Sequence, residues 1–502
     1  MTWRRRLWLT VFGLLAVAAS DRGAAQGPVA TVIINASVID GTGGPARSAS
    51  VRIADDRIVA VGAITPRAGE QVTDARGLTL APGFIDTHSH HARGLFDQPD
   101  ALAVVSQGIT TIVVGQDGGS ELPLQDFFAR LSATPVSVNV ASYAGHGTIR
   151  SRVMGDDFKR AATAAEVAQM AGLLRGEMQA GALGLSSGLE YDPGIYSDPG
   201  ELIALAKIVA PFGGRYISHV RSEDRAFWKA IDEAIDIGRE ARIPVQISHL
   251  KLAMRSLWGQ TARLIKTLDD ARAAGVAVTA DIYPYTYWQS GMTVLFPNRD
   301  FANRAEAEFA LREVTSPEGL LVTRFSRNRA YEGKTLAEIA GLRGVDAPQA
   351  MMDMIREAGE ADIGVVATGM DERDVVALTK WPFANICTDG TSTGGHPRGF
   401  GAFPRVLGRY VREQRAITLE EAVRKMTSLA AANVGLKDRG TIRAGNHADL
   451  VLFNAREIID RSTTANPRAL SEGIHSVWVN GQLVFERGTT RAPRPGIVLR
   501  RN

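Results

Sequence analysis

Eight short apolar runs, separated by polar and helical stretches, constrain this chain more than any other feature. They are Gly83–His88, Thr110–Val114, Val136–Ser142, Leu183–Ser186, Tyr216–His219, Val245–His249, Val276–Ile282 and Ala384–Thr388. Most are continuous rather than alternating, the pattern of parallel strands buried on both faces. Between them, Ala162–Ala180, Glu201–Phe212, Ala226–Ala241 and Thr261–Ala274 read as helices. Eight strands with helical crossovers predict an α/β fold, a (β/α)8 TIM barrel over residues 81–436, rather than an open sheet. The stretch of about 287–349 breaks the rhythm before the last strand. It is expected to be an inserted lobe or lid, because so long a connection is seldom idle.

Both ends read differently. Ala30–Ile39, Ser50–Ile53 and Ile58–Gly62 are short β segments near the start; Ala448–Phe453, Ser476–Asn480 and Leu483–Glu486 are their counterparts near the end. Asn480-Gly481 is a strong hairpin turn. Residues 28–80 and 437–490 are therefore expected to build one small β-sandwich from both chain ends. A length of 502 residues suits one barrel with such a satellite.

The first 25 residues stand apart again. Arg4, Arg5 and Arg6 precede an apolar run from Leu7 to Ala19, and small residues follow at Gly23, Ala24 and Ala25. A basic head, a short apolar stretch and a small-residue exit predict a secretory signal peptide over 1–25. The run falls short of the about 20 apolar residues of a spanning helix, so no membrane span is expected in the mature chain. Arg4-Arg5 ahead of Leu7-Trp8 resembles a twin-arginine signal, and the expected location is periplasmic or secreted. Without the four arginines and one aspartate of this segment, 53 basic and 53 acidic side chains remain. A neutral balance of that kind gives no ground for a nucleic-acid partner. Cys387 is the sole cysteine, so no internal disulfide forms.

The histidines fall at strand ends. His88 and His90 close the first strand, His219 the fifth and His249 the sixth, while Asp389 follows the last. The carboxyl ends of all barrel strands converge on one mouth, where these five side chains should meet. In a His-x-His pair on a strand both rings share a face, since side chains alternate with period two. Imidazole with carboxylate suits a borderline divalent ion such as zinc. A lone His-x-His is usually incidental and a lone buried histidine usually satisfied in a core. The ordered set, each member beside an apolar strand, is what points to a metal site.

Pro82-Gly83-Phe84-Ile85-Asp86-Thr87-His88-Ser89-His90 resembles the opening signature of the amidohydrolase superfamily. Ser186-Ser187-Gly188-Leu189-Glu190-Tyr191, Gly145-His146-Gly147 and Thr388-Asp389-Gly390 narrow the resemblance to its D-aminoacylase branch, the N-acyl-D-amino-acid deacylases. His396-Pro397-Arg398, the run Phe403–Tyr410 and the ending Pro495–Arg501 extend it over nearly everything from about residue 30. The resemblance implies that His219 and His249 hold a firmly bound zinc ion, with His88, His90 and Asp389 lining an adjacent position for a second. It further implies that Asp389 is the general base, that Lys251, Tyr283 and Arg398 receive a substrate carboxylate, and that Tyr191 lies near the scissile amide. Zinc lowers the pKa of a bound water towards about 7; Asp389 is expected to take its proton and deliver it to the leaving nitrogen.

Three positions depart from the family pattern. Members commonly carry a metal-binding cysteine in a Gly-Asn-Cys-Gly turn after the second strand, where this chain has Gly115-Gln116-Asp117-Gly118. Asp117 either coordinates or bridges metal through a harder ligand, or only shapes a Gly-rich turn. His91 stands where an acidic residue is usual, offering an extra ligand or a changed charge at the mouth. Gln289 precedes Ser290 where serine is frequent. No lysine lies in Leu183–Glu190, so a carboxylated lysine bridging two metals is not expected. The implied activity is exported, metal-dependent hydrolysis of the amide of N-acyl (D-)amino acids or peptide-like small molecules. A dipeptidase or cyclic-amide hydrolase would use the same residues, whereas a non-catalytic binding barrel would be expected to lack part of the set.

Overall fold

The computed structural model describes residues 30–359 and 363–501, and the expected signal peptide lies outside them. Its centre is a barrel of eight strands: Phe84–Asp86, Ile109–Val114, Asn139–Ser142, Gly184–Gly188, Arg215–His219, Val245–Ile247, Val278–Ile282 and Ala384–Ile386. Neighbours pair in parallel, the third strand reaching the fourth through Ala144–Gly145. The barrel closes where the last strand meets the first. There Thr388 N–H donates to Asp86 Oδ1 at 2.8 Å, and Asp389 N–H to the His88 carbonyl at 2.9 Å. Ile112, Val113, Val140, Ile217, Val245 and Val278 are all buried, as strands covered on both faces require.

Local signals start the crossover helices. Thr163 and Glu166 form a reciprocal capping box before Ala164–Ala180. Asp198 caps Pro199–Val209, with proline in the first turn where its missing N–H costs nothing.

Strands from both chain ends join one nine-stranded sheet beside the barrel. The two ends meet where Thr79–Pro82 pairs antiparallel with Leu450–Phe453. Along that second strand the faces alternate. Leu450 and Leu452 enter a core with Ile33, Val38, Val51 and Trp478, while Val451 and Phe453 enter the barrel's core. After the sheet the chain returns to the barrel, and Leu499 N–H donates to the Val140 carbonyl at 2.8 Å on the third strand.

The inserted lobe is larger than its sequence boundary. Tyr287–Gly291, Gly364–Thr368 and Leu320–Arg324 form an antiparallel sheet with Gly364–Thr368 at its centre. The lobe therefore runs from 287 to 368 rather than ending near 349. Ala347–Ala358 is an amphipathic helix like those of the barrel, and Gly364–Thr368 is an apolar run like a barrel strand, so local pattern alone misplaces the junction. No helix among the described residues is long and apolar enough to cross a membrane.

Candidate metal centre

Six side chains converge at the barrel mouth in two overlapping groups: His88, His90, Asp117 and Asp389; and Asp117, His219 and His249. Within each group one donor atom per residue lies within 4.8 Å of the others. Asp117 belongs to both. Its Oδ2 is 3.2 Å from His90 Nε2, and its Oδ1 is 3.4 Å from His88 Nε2 and 3.6 Å from His249 Nε2. Asp389 Oδ1 faces His90 Nε2 at 3.2 Å, and His219 Nδ1 faces His249 Nε2 at 2.9 Å.

The donor set fits a divalent cation on two counts. Both ring nitrogens of His88 and Oδ1 of Asp117 are buried without a hydrogen-bond partner. Each such orphan costs about 1–3 kcal/mol, which a bound cation would offset. Nitrogen and carboxylate oxygen together match zinc.

The backbone is bent to present these groups. Asp117, His249 and Asp389 have φ of 52°, 35° and 47°, a region that non-glycine residues rarely adopt and that clusters at functional sites. Hydrogen bonds hold two of them: Asp389 through the barrel closure, and His249 by donating its N–H to Asp281 Oδ1 at 2.6 Å. The Asp117 turn is wedged between neighbouring strands. Gly115 and Gly118 both sit at φ +75°, and a Cβ on Gly115 would lie 2.3 Å from the Tyr143 carbonyl oxygen.

Three carboxylates that sequence reasoning missed stand behind the histidines. Asp281 Oδ1 lies 3.6 Å from His88 Nδ1, Glu223 Oε1 3.2 Å from His249 Nδ1, and Glu190 Oε2 3.1 Å from His219 Nε2. A carboxylate hydrogen-bonded behind one ring nitrogen, as Glu190 is to His219, fixes the tautomer and turns the other nitrogen's lone pair to the centre. The available signal was position: Asp281 lies within the seventh strand, Glu223 just past the fifth, and Glu190 in a motif already singled out.

Opposite charges beside them hold three buried groups of the site ionised. Burial opposes ionisation of Asp117, yet His88, His249 and His90 hold its carboxyl well below the usual range. Burial also opposes charge on Asp389, but Arg398, with Nη1 2.7 Å from Oδ2, and then His249 keep it lowered. Burial works against the Lys251 ammonium as well, and its partner Glu223 more than compensates, raising its pKa.

Lys251, Tyr283, Arg398 and Tyr191 line one cavity with His219, His249 and Asp389. The Arg398 guanidinium lies 4.7 Å from the centre of the Tyr283 ring, and the Tyr283 hydroxyl is buried without a partner. Tyr191 Oη is 3.3 Å from His219 Nδ1. Two cations and a free hydroxyl at one end of a cavity are suited to an anionic group. His396 steadies this end: its Nε2–H donates to the Tyr287 carbonyl at 2.8 Å, and its Nδ1 accepts from Arg398 N–H at 2.9 Å.

The sequence profile of the amidohydrolase family matches residues 71–283 and 298–485. This chain belongs to the amidohydrolase family. On its D-aminoacylase branch, an N-acyl-D-aspartate deacylase of Alcaligenes xylosoxydans xylosoxydans is 38% identical over 497 residues, covering 93% of this chain and 94% of the relative. An N-acyl-D-glutamate deacylase of the same organism is 36% identical over 495 residues, covering 94% and 96%. The crystal structure of N-acyl-D-glutamate deacylase from Bordetella bronchiseptica, complexed with zinc and a phosphonate mimic of the tetrahedral intermediate, is similar with a TM-score of 0.85 at 34% identity. That match covers 94% of this chain and 99% of the other.

In this amidohydrolase the departures from family pattern resolve differently. Asp117 stands among the donor atoms of both groups rather than in a remote turn. His91 does not join either group. Its Nδ1 accepts from Ser89 Oγ at 3.0 Å and its Nε2–H donates to the Gly399 carbonyl at 3.1 Å, so neither nitrogen is left for a metal. Burial pulls its pKa down to about 4, and it adds no positive charge to the mouth near neutral pH. Gln289 and Ser290 both line the cavity of Lys251 and Arg398.

Proposed function

We propose that this amidohydrolase is a zinc-dependent deacylase of N-acyl-D-amino acids that acts outside the cytoplasm after export. The observation that carries the reading is that His219, His249 and Asp389, members of the two donor groups that share Asp117, line one cavity with Lys251, Tyr283 and Arg398. His219, His249 and Asp117 would hold one zinc ion; His88, His90 and Asp389, again with Asp117, would hold a second. Zinc bound there supplies a Lewis acid and brings the pKa of water towards about 7.

The chain's own groups then divide the work. Lys251 and Arg398 take the substrate's α-carboxylate by charge-assisted hydrogen bonds, with the Tyr283 hydroxyl donating beside them. That anchor fixes which way the amide points and so which enantiomer presents it productively. Asp389 Oδ1, on the side facing His88 and His90, accepts the proton of the attacking water and returns it to the amide nitrogen as the C–N bond breaks. The Tyr191 hydroxyl donates to the carbonyl oxygen as negative charge develops there. The products are a free amino acid and a carboxylate. Export rests on the leader pattern of residues 1–25, and the partner is a small acylated amino acid rather than a nucleic acid.

Paired D and L N-acyl amino acids and dipeptides, assayed with bound metal quantified, test the reading. D-selective release of the acyl group, lost on chelation, is expected. Cleavage of dipeptides alone would replace the deacylase with a dipeptidase. An N-terminus beginning near residue 26 on protein recovered from the periplasm or medium tests export.

A further inference from the structure

Tyr191, placed to donate to the amide carbonyl, is held only lightly by the barrel that carries it. It lies on the loop between the fourth strand, Gly184–Gly188, and the turn Gly194–Tyr196. Its N–H reaches the Gly188 carbonyl at 3.4 Å, longer than a normal hydrogen bond, and its hydroxyl is 3.3 Å from His219 Nδ1. Ile195 N–H donates to the Tyr191 carbonyl at 2.9 Å, which closes the loop on itself without tying it to the barrel. The firm barrel contact is one residue earlier, where the Glu190 side chain accepts from Glu223 N–H at 2.5 Å.

The inserted lobe supplies the missing restraint. Arg299 reaches the loop from the lobe with all three guanidinium nitrogens engaged. Its Nη2–H donates to the Glu190 carbonyl at 2.6 Å, its Nε–H to Asp192 Oδ1 at 3.0 Å, and its Nη1–H to the Phe296 carbonyl of its own turn at 3.1 Å. One planar group, anchored in the lobe, therefore holds the residues immediately before and after Tyr191. A part-exposed ion pair with Asp192 alone would be worth little. The Glu190 carbonyl makes the contact specific to the path of the loop backbone. Arg299 itself sits at φ 56°, a costly conformation that persists where the surroundings enforce it and that clusters at functional sites.

Resting on the deacylase reading above, we infer that Arg299 is a positioning residue for amide hydrolysis: from the lobe it fixes the backbone on both sides of Tyr191 and so aims the Tyr191 hydroxyl at the carbonyl oxygen. Seating of the lobe and stabilisation of the developing charge are then one device, because the donor is in register only while the lobe lies against the loop. The dependence is steep, since a misplacement of about 1 Å can cost about 10²-fold in rate. Lys251, Tyr283 and Arg398, which take the substrate carboxylate, stand on other segments, so the hold on Tyr191 bears on kcat rather than on KM.

The test is a double-mutant cycle in the zinc-loaded enzyme on an N-acetyl-D-amino acid that it cleaves. Tyr191→Phe removes the donor and should lower kcat by about 10²–10³-fold. Arg299→Ala should lower kcat by about 10-fold or more, with KM and zinc per chain unchanged. Added to Tyr191→Phe, it should change kcat by less than about 2-fold, because the hydroxyl it aims is gone. Asp192→Ala, at a side chain 39% exposed, removes the acceptor on the barrel side and should show a smaller loss with the same dependence on Tyr191. It carries the cycle alone if Arg299→Ala does not fold. Normal kcat in Arg299→Ala, or losses that multiply in the double variant, overturn the inference and leave the deacylase reading intact. Loss of zinc from Arg299→Ala also overturns it, since the effect would then run through Glu190 and His219. Normal turnover in Tyr191→Phe removes that donor from the mechanism, and this inference with it. Failure of the unmodified enzyme to cleave any N-acyl-D-amino acid overturns the deacylase reading itself.

Discussion

Arg398 Nη1 lies 2.7 Å from Asp389 Oδ2, so the cation placed to receive the substrate also holds the residue placed to carry its proton. The contact occupies one carboxylate oxygen and leaves Oδ1 facing His90 and His88. Binding and proton transfer are therefore set side by side on one pair of side chains.

Replacing Asp389 by Asn keeps the shape and removes the proton acceptor. Turnover is expected to fall by about 10²–10⁴, the usual contribution of general-base catalysis. Steady-state kinetics check this, and near-normal kcat would assign proton transfer to another group.

Arg398→Lys keeps the charge but loses the planar fork that pairs with a carboxylate. KM for N-acyl-D-amino acids should rise by roughly 10-fold, the worth of about one charge-assisted hydrogen bond, with kcat less affected. Substrates whose α-carboxylate is converted to an amide should respond much less. Equal effects on both would remove Arg398 from carboxylate binding.

Chelation should abolish activity, and zinc should restore it to the unmodified enzyme. His219→Ala or His249→Ala deletes a donor of the group shared with Asp117, so neither variant should regain activity or one tightly held ion per chain. Metal analysis after dialysis reads this directly, and full activity in metal-free protein would refute the mechanism.

Asp117→Ala should lower metal content more than a turn substitution would, because this carboxylate serves both groups. Asp117→Cys should recover part of the binding through a softer ligand. Unchanged stoichiometry and affinity in Asp117→Ala would make the residue a turn former.

His91 predicts an acid-sensitive step in stability. Its ring is pulled from the usual 6.5 down to about 4, chiefly by burial. Above pH 6.5 the ring is neutral in both folded and unfolded chains, and the stability is fully present. As the pH falls from about 6.5 to about 4, only the unfolded chain takes up the proton, so stability declines, by on the order of 3 kcal/mol. Denaturant unfolding of metal-free protein across that window should show a shallower decline in His91→Gln. Parallel curves for the two proteins would exclude His91 as the source.

The eight strands and the meeting of the five strand-end side chains at one mouth could be read from sequence because both follow from local rules. A buried parallel strand is a continuous apolar run, and a side chain at its carboxyl end has one mouth to enter. The rear carboxylates follow no such rule. Asp281 serves His88 and Glu223 serves His249 across separate strands, and nothing in either local pattern announces the partner. His91 was open for the same reason, since the Gly399 carbonyl that engages it lies 308 residues away. Gly364–Thr368 has the composition of a barrel strand, and only its antiparallel pairing assigns it to the lobe. Sequence by itself determined which elements form and which side chains reach the mouth, because periodicity and strand-end position are properties of neighbours in the chain. Tertiary structure decided that Asp117 stands between two donor groups, which carboxylates lie behind the histidines, and that Gly364–Thr368 belongs to the lobe, because those depend on contacts between segments distant in sequence.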